Sequence, residues 1–311
     1  MLKQTFMKTV NVSRKLDTYR TAVAEGRIKL PKECIEKIKN NQLPKGNCEE
    51  ASKLAAIYGA KHTGLLLPFC HPIGFDHVEV DFTLDEENSE VIITAKVEGI
   101  ARTGYEMEAL TAVSVGLLNV YDMCKGFSTD MEIKGIKLLK KSGGKSQHFE
   151  RLDGVKVAVI TVSDRASRGE YEDKSGKLAV EMLKDLGGEV VYYTIVPDEE
   201  EEIRRAAMEA IQRGAEVVVT SGGTGLSPRD ITPEVIQKMA LKEIKGFGEA
   251  MRVWGSRFTP KALVSRATAF VLPEGRIVLV LPGSRGAVND YLQMLGGLVK
   301  HALDMAKGKE H

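Results

Sequence analysis

The chain divides by periodicity into two domains of different class. The first half is α+β with antiparallel pairing; the second is α/β, a mostly parallel, Rossmann-like sheet covered by helices in three layers. Three observations predict this. β-Branched runs at residues 155–162, 189–196, 216–220 and 276–281 alternate with helical stretches at about 175–186, 200–213, 232–241 and 287–306, the rhythm of a parallel sheet. Residues 77–82 and 91–97 instead alternate apolar and polar around Asp85-Glu86-Glu87-Asn88-Ser89, which reads as an antiparallel hairpin, and a long helix follows over about 106–125. Between the halves, residues 142–154 are polar and glycine-rich. The expected division is therefore 1–147, a linker at 148–154, and 155–311.

The totals exclude several classes. With 44 Lys+Arg against 43 Asp+Glu, no overall field draws the 311-residue chain to nucleic acid or to a membrane surface. No apolar run reaches the ~18 residues of a membrane span, and the start MLKQTFMKTV lacks the apolar core of a signal peptide. Cys34, Cys48, Cys70 and Cys124 show no CxxC spacing. They read as reduced thiols of a cytoplasmic protein and not as a zinc site.

In the second half, the run ending at Thr220 leads straight into Ser221-Gly222-Gly223-Thr224-Gly225. Its glycines let backbone N–H groups approach a ligand. Asp230 follows, then Thr232-Pro233-Glu234, a helix opening with Thr232 expected as N-cap and Pro233 at the first position. In a parallel sheet every strand's carboxyl end faces one rim, so this loop is gathered with Ser163-Asp164-Arg165, Pro197-Asp198-Glu199 and Pro282-Gly283-Ser284. Asp198 and Asp230 facing across that rim would hold Mg²⁺ on a phosphate-bearing ligand. Neither GxxxxGK[ST] nor GxGxxG is present.

SGGTGLSPRDITPE, with ITVSDRASRGEYEDKSG, VPDE and LPGS, resembles the MogA/MoaB family over about 155–308. The resemblance implies a molybdopterin adenylyltransferase, which joins AMP from Mg·ATP to molybdopterin and releases pyrophosphate. It places the catalytic, metal-holding acids at Asp198 and Asp230. Ser221, Gly222, Gly223, Thr224 and Gly225 would cradle phosphate, with Ser163, Asp164 and Ser284 on the rim.

The helix of the first half, TGYEMEALTAVSVGLLNVYDMCKG, is apolar nearly all round and reads as buried, yet it carries Glu106, Glu108, Asp122 and Lys125. Asp122 and Lys125 could simply pair with each other. Glu108 and Asp122 share a face but lie ~21 Å apart on a continuous helix. Either its two ends serve different sites, or two subunits each supply one end to a shared pocket. Elsewhere Cys70 and His71 sit between two prolines, and Lys45 precedes a glycine. Lys140, Lys141 and Lys145 flank a Gly-Gly pair, which suits a polyphosphate or reads equally as a solvated basic loop.

PFCHPI, DTYRTA, PKG, TGYEMEALTAVSVGLLNVYDMCK and LLKKSGGKS together resemble MoaC, cyclic pyranopterin monophosphate synthase, over about 8–147. That family converts 3′,8-cyclo-7,8-dihydro-GTP into cyclic pyranopterin monophosphate and pyrophosphate. It builds ferredoxin-like subunits into a hexamer with interfacial sites. Carried over, the resemblance makes Asp122 the active-site acid and Lys45 and Lys125 the essential lysines. Phe69, Cys70, His71, Met107 and Glu108 would contact substrate, and Arg20 and Lys145 the triphosphate. One residue departs: Asn11, in Val10-Asn11-Val12-Ser13, stands where the family has an acid.

The combined expectation is a bifunctional enzyme of molybdenum cofactor synthesis, with motifs that serve tungsten handling equally. Alternatively, one half is catalytic and the other only binds pterin or scaffolds. Mg²⁺ with ATP belongs to the second half, and no tightly bound cofactor is expected in the first. The expected partners are small pterin and nucleotide substrates, copies of the chain in a hexamer or trimer-based assembly, and other enzymes of the cofactor's synthesis.

Overall fold

The computed structural model describes residues 7–144 and 150–309. The chain forms two compact units, Met1–Gln147 and His148–His311.

In the first unit β1 (Thr18–Lys29) is followed by α1 (Lys32–Lys39), α2 (Cys48–Lys61) and the single turn α3 (Thr63–Leu66). Then come β2 (His77–Asp85), β3 (Glu90–Ala101), α4 (Glu106–Cys124) and β4 (Glu132–Ser142). The strands make one antiparallel sheet in the order β2-β3-β1-β4. The expected hairpin is there, in register from His77 opposite Glu98 to Asp85 opposite Glu90. β1 buries every second residue, Ala22, Ala24 and Ile28 among them, where small side chains let α4 settle onto the sheet. α2 packs alongside α4.

The helix read as buried all round is buried on one side only. Ala109, Ala112, Val113, Gly116, Leu117 and Val120 face the sheet and α2, while Leu118 is 58% exposed and Asp122 and Lys125 are half exposed. Its apolar outer face is left uncovered within the single chain.

The second unit runs β5 (Lys156–Val162), α5 (Asp164–Ser167), α6 (Lys174–Asp185), β6 (Glu189–Val196), α7 (Glu200–Gln212), β7 (Val217–Ser221) and α8 (Thr232–Met239). β8 (Lys242–Glu243), α9 (Lys245–Ser256), β9 (Thr268–Val271), β10 (Ile277–Leu281) and α10 (Arg285–Ala306) complete it. The six-stranded order is β6-β5-β7-β10-β9-β8, parallel through β10 and antiparallel at the β9–β8 edge. β7 and β10 are buried at every residue, as a sheet covered on both faces requires. The segment before β5 is tied to this unit, since the Glu150 N–H donates to Gly297 O, the Leu152 N–H donates to Leu186 O, and the Leu152 side chain is wholly buried. Among the described residues, no helix is long and apolar enough to cross a membrane.

Candidate active sites

In the second unit the carboxyl ends of β5, β7 and β10 converge. Gly222, at φ +117°, sits so close to Val162 that a Cβ would overlap its carbonyl oxygen, and the Gly222 N–H donates to Leu281 O at 2.9 Å. Gly223, at φ +62°, has its Cβ direction blocked by the Thr232 hydroxyl, and its carbonyl accepts from the Thr232 N–H at 3.1 Å. Glycine is therefore demanded twice, by backbone conformation and by space. Ser221 is buried at the end of β7, and Thr224 is buried beside it.

The rim brings together the acids expected there. Asp198 and Asp164 exchange bonds, each backbone N–H donating to the other's carboxylate at 3.0 Å. Arg229 grips Asp164 with two 2.7 Å bonds and holds its carboxyl below the usual range. Burial pushes the Asp198 carboxyl up, and the nearby negative charges of Asp164 and Asp230 add to this. Asp230 is fixed by its own turn, with the Ser227 N–H on Oδ2 at 3.0 Å.

Arg266 clamps the loop from outside. Its Nε donates to Gly225 O at 2.8 Å, and its other nitrogens reach Asp230 O and the Glu234 carboxylate. Neither arginine was legible as a site residue, because their partners are backbone carbonyls or acids 32 and 65 positions away. The SPRD sequence beside Asp230 was the one available signal. Asp164 is thus occupied as a brace for Asp198. Ser163 and Ser284 are N-caps, accepting from the Ala166 and Ala287 N–H groups.

Thr232 is not the N-cap expected from sequence. It is the first helical residue, after Ile231, and its hydroxyl bonds nothing. Its N–H is taken by Gly223 O, which draws Thr232 into the helix and under the loop.

The first unit holds its candidate residues in two groups, one at each end of α4. At the carboxyl end, Lys45 Nζ donates to Asp122 Oδ2 at 2.5 Å and to its carbonyl at 2.8 Å, while Lys125 Nζ lies 2.6 Å from Oδ1. The expected Asp122–Lys125 pair is therefore a trio. Lys125, then Lys45, hold the Asp122 carboxyl down to about 2. Local structure explains the meeting. Leu43–Gly46 is a turn closed by the Gly46 N–H on Leu43 O, Asn47 caps α2, and Leu43 and Cys48 are buried in the same core as Met123 and Cys124.

At the amino end, Glu108 is 2% exposed with Oε2 unpartnered, and Oε1 lies 4.0 Å from the Cys70 thiol. Burial raises its carboxyl to about 7, with Glu106 adding repulsion. His71 Nε2–H donates to Val10 O at 2.7 Å. Arg20 Nε donates to Ala101 O at 2.8 Å and lies against Gly143 and Gly144. Phe69 is 56% exposed, and Met107 is exposed next to Glu108. A cleft of about 330 Å³ beside this group is lined by Val12, His71, Pro72, Ile100 and Arg102 among others.

Lys140 and Lys141, read as part of a loop, lie instead in β4 opposite Val23 and Ala22, and Lys141 reaches Glu106 at 3.2 Å. An edge strand tolerates such lysines because one side faces water. Lys145 lies outside the described residues. Asn11 Oδ1 accepts from the Ser13 N–H at 2.9 Å.

A prediction follows from Glu108. Between pH 4.5 and 7 the unfolded chain ionises this carboxyl while the folded chain keeps it protonated, so the fold loses stability as pH rises through that window. Glu108→Gln removes the penalty. At pH 8 the variant is expected to gain about 3 kcal/mol over wild type, and at pH 5 less than about 1 kcal/mol. Amide exchange along α4 reads the difference; an equal gain at both pH values would contradict it.

Comparison with known proteins finds a match in each unit. The MoaC family matches residues 9–144, and the "Probable molybdopterin binding domain" family matches residues 158–301. A chain that carries both is a two-domain protein of the molybdenum cofactor pathway. A Synechococcus elongatus protein called "Molybdenum cofactor biosynthesis bifunctional protein" is 41% identical, over 97% of this chain and 98% of that one. An Aquifex aeolicus protein called "Cyclic pyranopterin monophosphate synthase" is 38% identical, over 96% of this chain and 99% of that one. The solved "tungsten cofactor synthesizing protein MoaB" from Pyrococcus furiosus is 46% identical over 49% of this chain and 97% of that one, with a TM-score of 0.47. The chain belongs to the family of bifunctional molybdenum cofactor biosynthesis enzymes, with a MoaC domain followed by a MogA/MoaB-type domain.

Proposed function

We propose that the first unit converts 3′,8-cyclo-7,8-dihydro-GTP into cyclic pyranopterin monophosphate and pyrophosphate, and that the second transfers AMP from Mg·ATP to molybdopterin. One observation supports the reading in both units: carboxylates fixed at an open rim by basic or backbone N–H groups. Asp122 sits between Lys45 and Lys125, and Asp198 stands near Asp230 beside the glycine loop.

In the first unit, Lys45 and Lys125 offset charge as pyrophosphate leaves, and the Lys–Asp pairs move protons during the ring rearrangement. Glu108, protonated or ionised near neutral pH, is suited to exchange a proton with substrate beside Cys70 and His71. The helix between Glu108 and Asp122 is unbroken, so one subunit does not bring both to one small molecule. The site is shared: Asp122 of one subunit completes the Glu108 end of another. Leu54, Tyr58, Leu65, Leu66 and Leu118, exposed on α2, α3 and α4, supply apolar surface for such contacts.

In the second unit, a phosphate oxygen of molybdopterin attacks the α-phosphorus of ATP, the bond to the bridging oxygen breaks, and pyrophosphate departs. The donor set fits a magnesium nucleotide: two carboxylates, an orphaned hydroxyl and a backbone cradle that excludes any Cβ. When bound, Mg²⁺ would supply the positive charge that offsets charge developing on the leaving pyrophosphate. The residues of the chain position. Asp198 and Asp230 would hold the cation, Ser221, Gly222, Gly223, Thr224 and Gly225 would face phosphate, and Asp164, Arg229 and Arg266 keep both acids in place.

The deciding experiment supplies each half's substrate to the purified chain and measures pyrophosphate. Release from only one substrate would leave the other unit as a binding or scaffolding domain. Asn11→Asp belongs in the same assay. The Asn11 side-chain oxygen is spent on the Ser13 N–H, which a carboxylate accepts equally well. The expected change in the first reaction is less than about threefold; a tenfold gain would mean that an acid is missing there.

A further inference from the structure

The Thr232 hydroxyl is wholly buried, has no hydrogen-bond partner and lies at the heart of the second site. A buried hydroxyl left unpaired destabilises the fold, and native proteins rarely leave one without a use. Its neighbours indicate the use. It fills the direction in which a Cβ on Gly223 would point, and Asp198 Oδ1 lies 3.1 Å from that same Cβ position. Hydroxyl and carboxylate oxygen therefore both lie against the same side of Gly223. The Thr232 N–H is already engaged by Gly223 O, so backbone and side chain of this residue address loop and acid together. The other Asp198 oxygen, Oδ2, is held by the Asp164 N–H.

We infer that Thr232 is a positioning residue for Asp198: its hydroxyl donates to Asp198 Oδ1 when nucleotide and cation fill the rim, locking the carboxylate in its ligating orientation. With Oδ2 fixed by Asp164, this second bond removes the carboxylate's remaining rotational freedom. The cost of the unpaired hydroxyl is carried by the empty protein and relieved by the ligand. This rests on the adenylyltransferase reading of the second unit.

The test compares Thr232→Val, which keeps shape and loses the hydroxyl, with Thr232→Ser, which keeps it. In the ligand-free chain, Thr232→Val is expected to raise the melting temperature of the second unit by about 2–4 °C, because an orphaned polar atom is gone. Calorimetric titration with Mn²⁺ and a non-hydrolysable ATP analogue is expected to show about tenfold weaker cation binding in Thr232→Val and near wild-type binding in Thr232→Ser. The adenylylation assay should show a matching rise in the Mg²⁺ needed for half-maximal rate, with the rate at saturating Mg²⁺ changed far less. The opposite signs, firmer fold and looser cation, are what a merely structural threonine would not give. Unchanged cation binding in Thr232→Val, or a lowered melting temperature, overturns the inference. If wild-type protein forms no adenylylated product, the adenylyltransferase reading fails instead, and the cation titration still reports on Thr232.

Discussion

Replacing Asp122 by asparagine is expected to lower pyrophosphate release from 3′,8-cyclo-7,8-dihydro-GTP by 10²–10³-fold or about that, leaving the fold intact. Asparagine keeps the shape and one acceptor oxygen, so Lys45 and Lys125 still find a partner. What goes is the negative charge that both lysines share, which they hold down to about 2 and therefore ionised throughout the working pH range. The three side chains are about half exposed, so their effect on stability should be slight and the loss specific to chemistry. The same variant tests whether sites are shared. If the Glu108 end of one subunit is completed by the Asp122 end of another, Asp122→Asn and Glu108→Gln chains, each nearly inactive alone, regain activity on mixing and re-equilibration. With random assembly the expected recovery is about a quarter of wild type, one intact site in every mixed pair. No recovery in a mixture shown to exchange subunits would place both residues in separate functions, and a monomer by light scattering would do the same.

The second unit was legible where side chains are β-branched and continuous. Val157 to Val162, Val217 to Thr220 and Ile277 to Leu281 announce a covered sheet, and once strand direction is known the loops after them share a rim. Its edge was not legible. β8 has two residues and β9 four, too short for any period to show. In the first unit β1 alternates faithfully, but the buried members include Ala22, Ala24 and Gly26, whose weak hydrophobicity hides the pattern. β4 is lysine-rich because it is an edge, and that made its end read as a loop. Helix geometry showed from sequence alone that Glu108 and Asp122 lie apart. It could not show that Lys45, 77 positions from Asp122, closes on the same carboxylate, for that depends on Leu43 and Cys48 joining Met123 and Cys124 in one core. Arg229 and Arg266 were invisible for the same reason: they act through tertiary contacts on residues the sequence already offered.

For the second reaction, Asp230→Asn is expected to cut adenylylation of molybdopterin by about 10²–10³-fold and to raise the Mg²⁺ requirement. The loop gives this substitution its meaning. Asp230 Oδ2 accepts from the Ser227 N–H, its backbone N–H donates to Ser227 O, and its carbonyl is gripped by Arg266; asparagine preserves all three. Thr224 O stays bonded to the Arg266 N–H at 3.1 Å, so the glycine loop has no reason to move. Loss of rate therefore reports the charge of one carboxylate and not the collapse of its turn. Charge is what the chemistry asks for, since the transition state carries a pentacoordinate phosphorus and a departing pyrophosphate whose charge a well-held cation would balance. Asp198 cannot take over, because burial and the charge of Asp164 already disfavour its ionised form and its Oδ2 is engaged. Two acids are needed for one ion because each alone is compromised: Asp198 by its buried surroundings, Asp230 by its bond to Ser227. If Asp230→Asn retained more than about a tenth of wild-type kcat/KM at saturating Mg²⁺, the carboxylate would not be a cation ligand. Pyrophosphate would then have to leave with its charge met by Arg229 and the loop's own N–H groups.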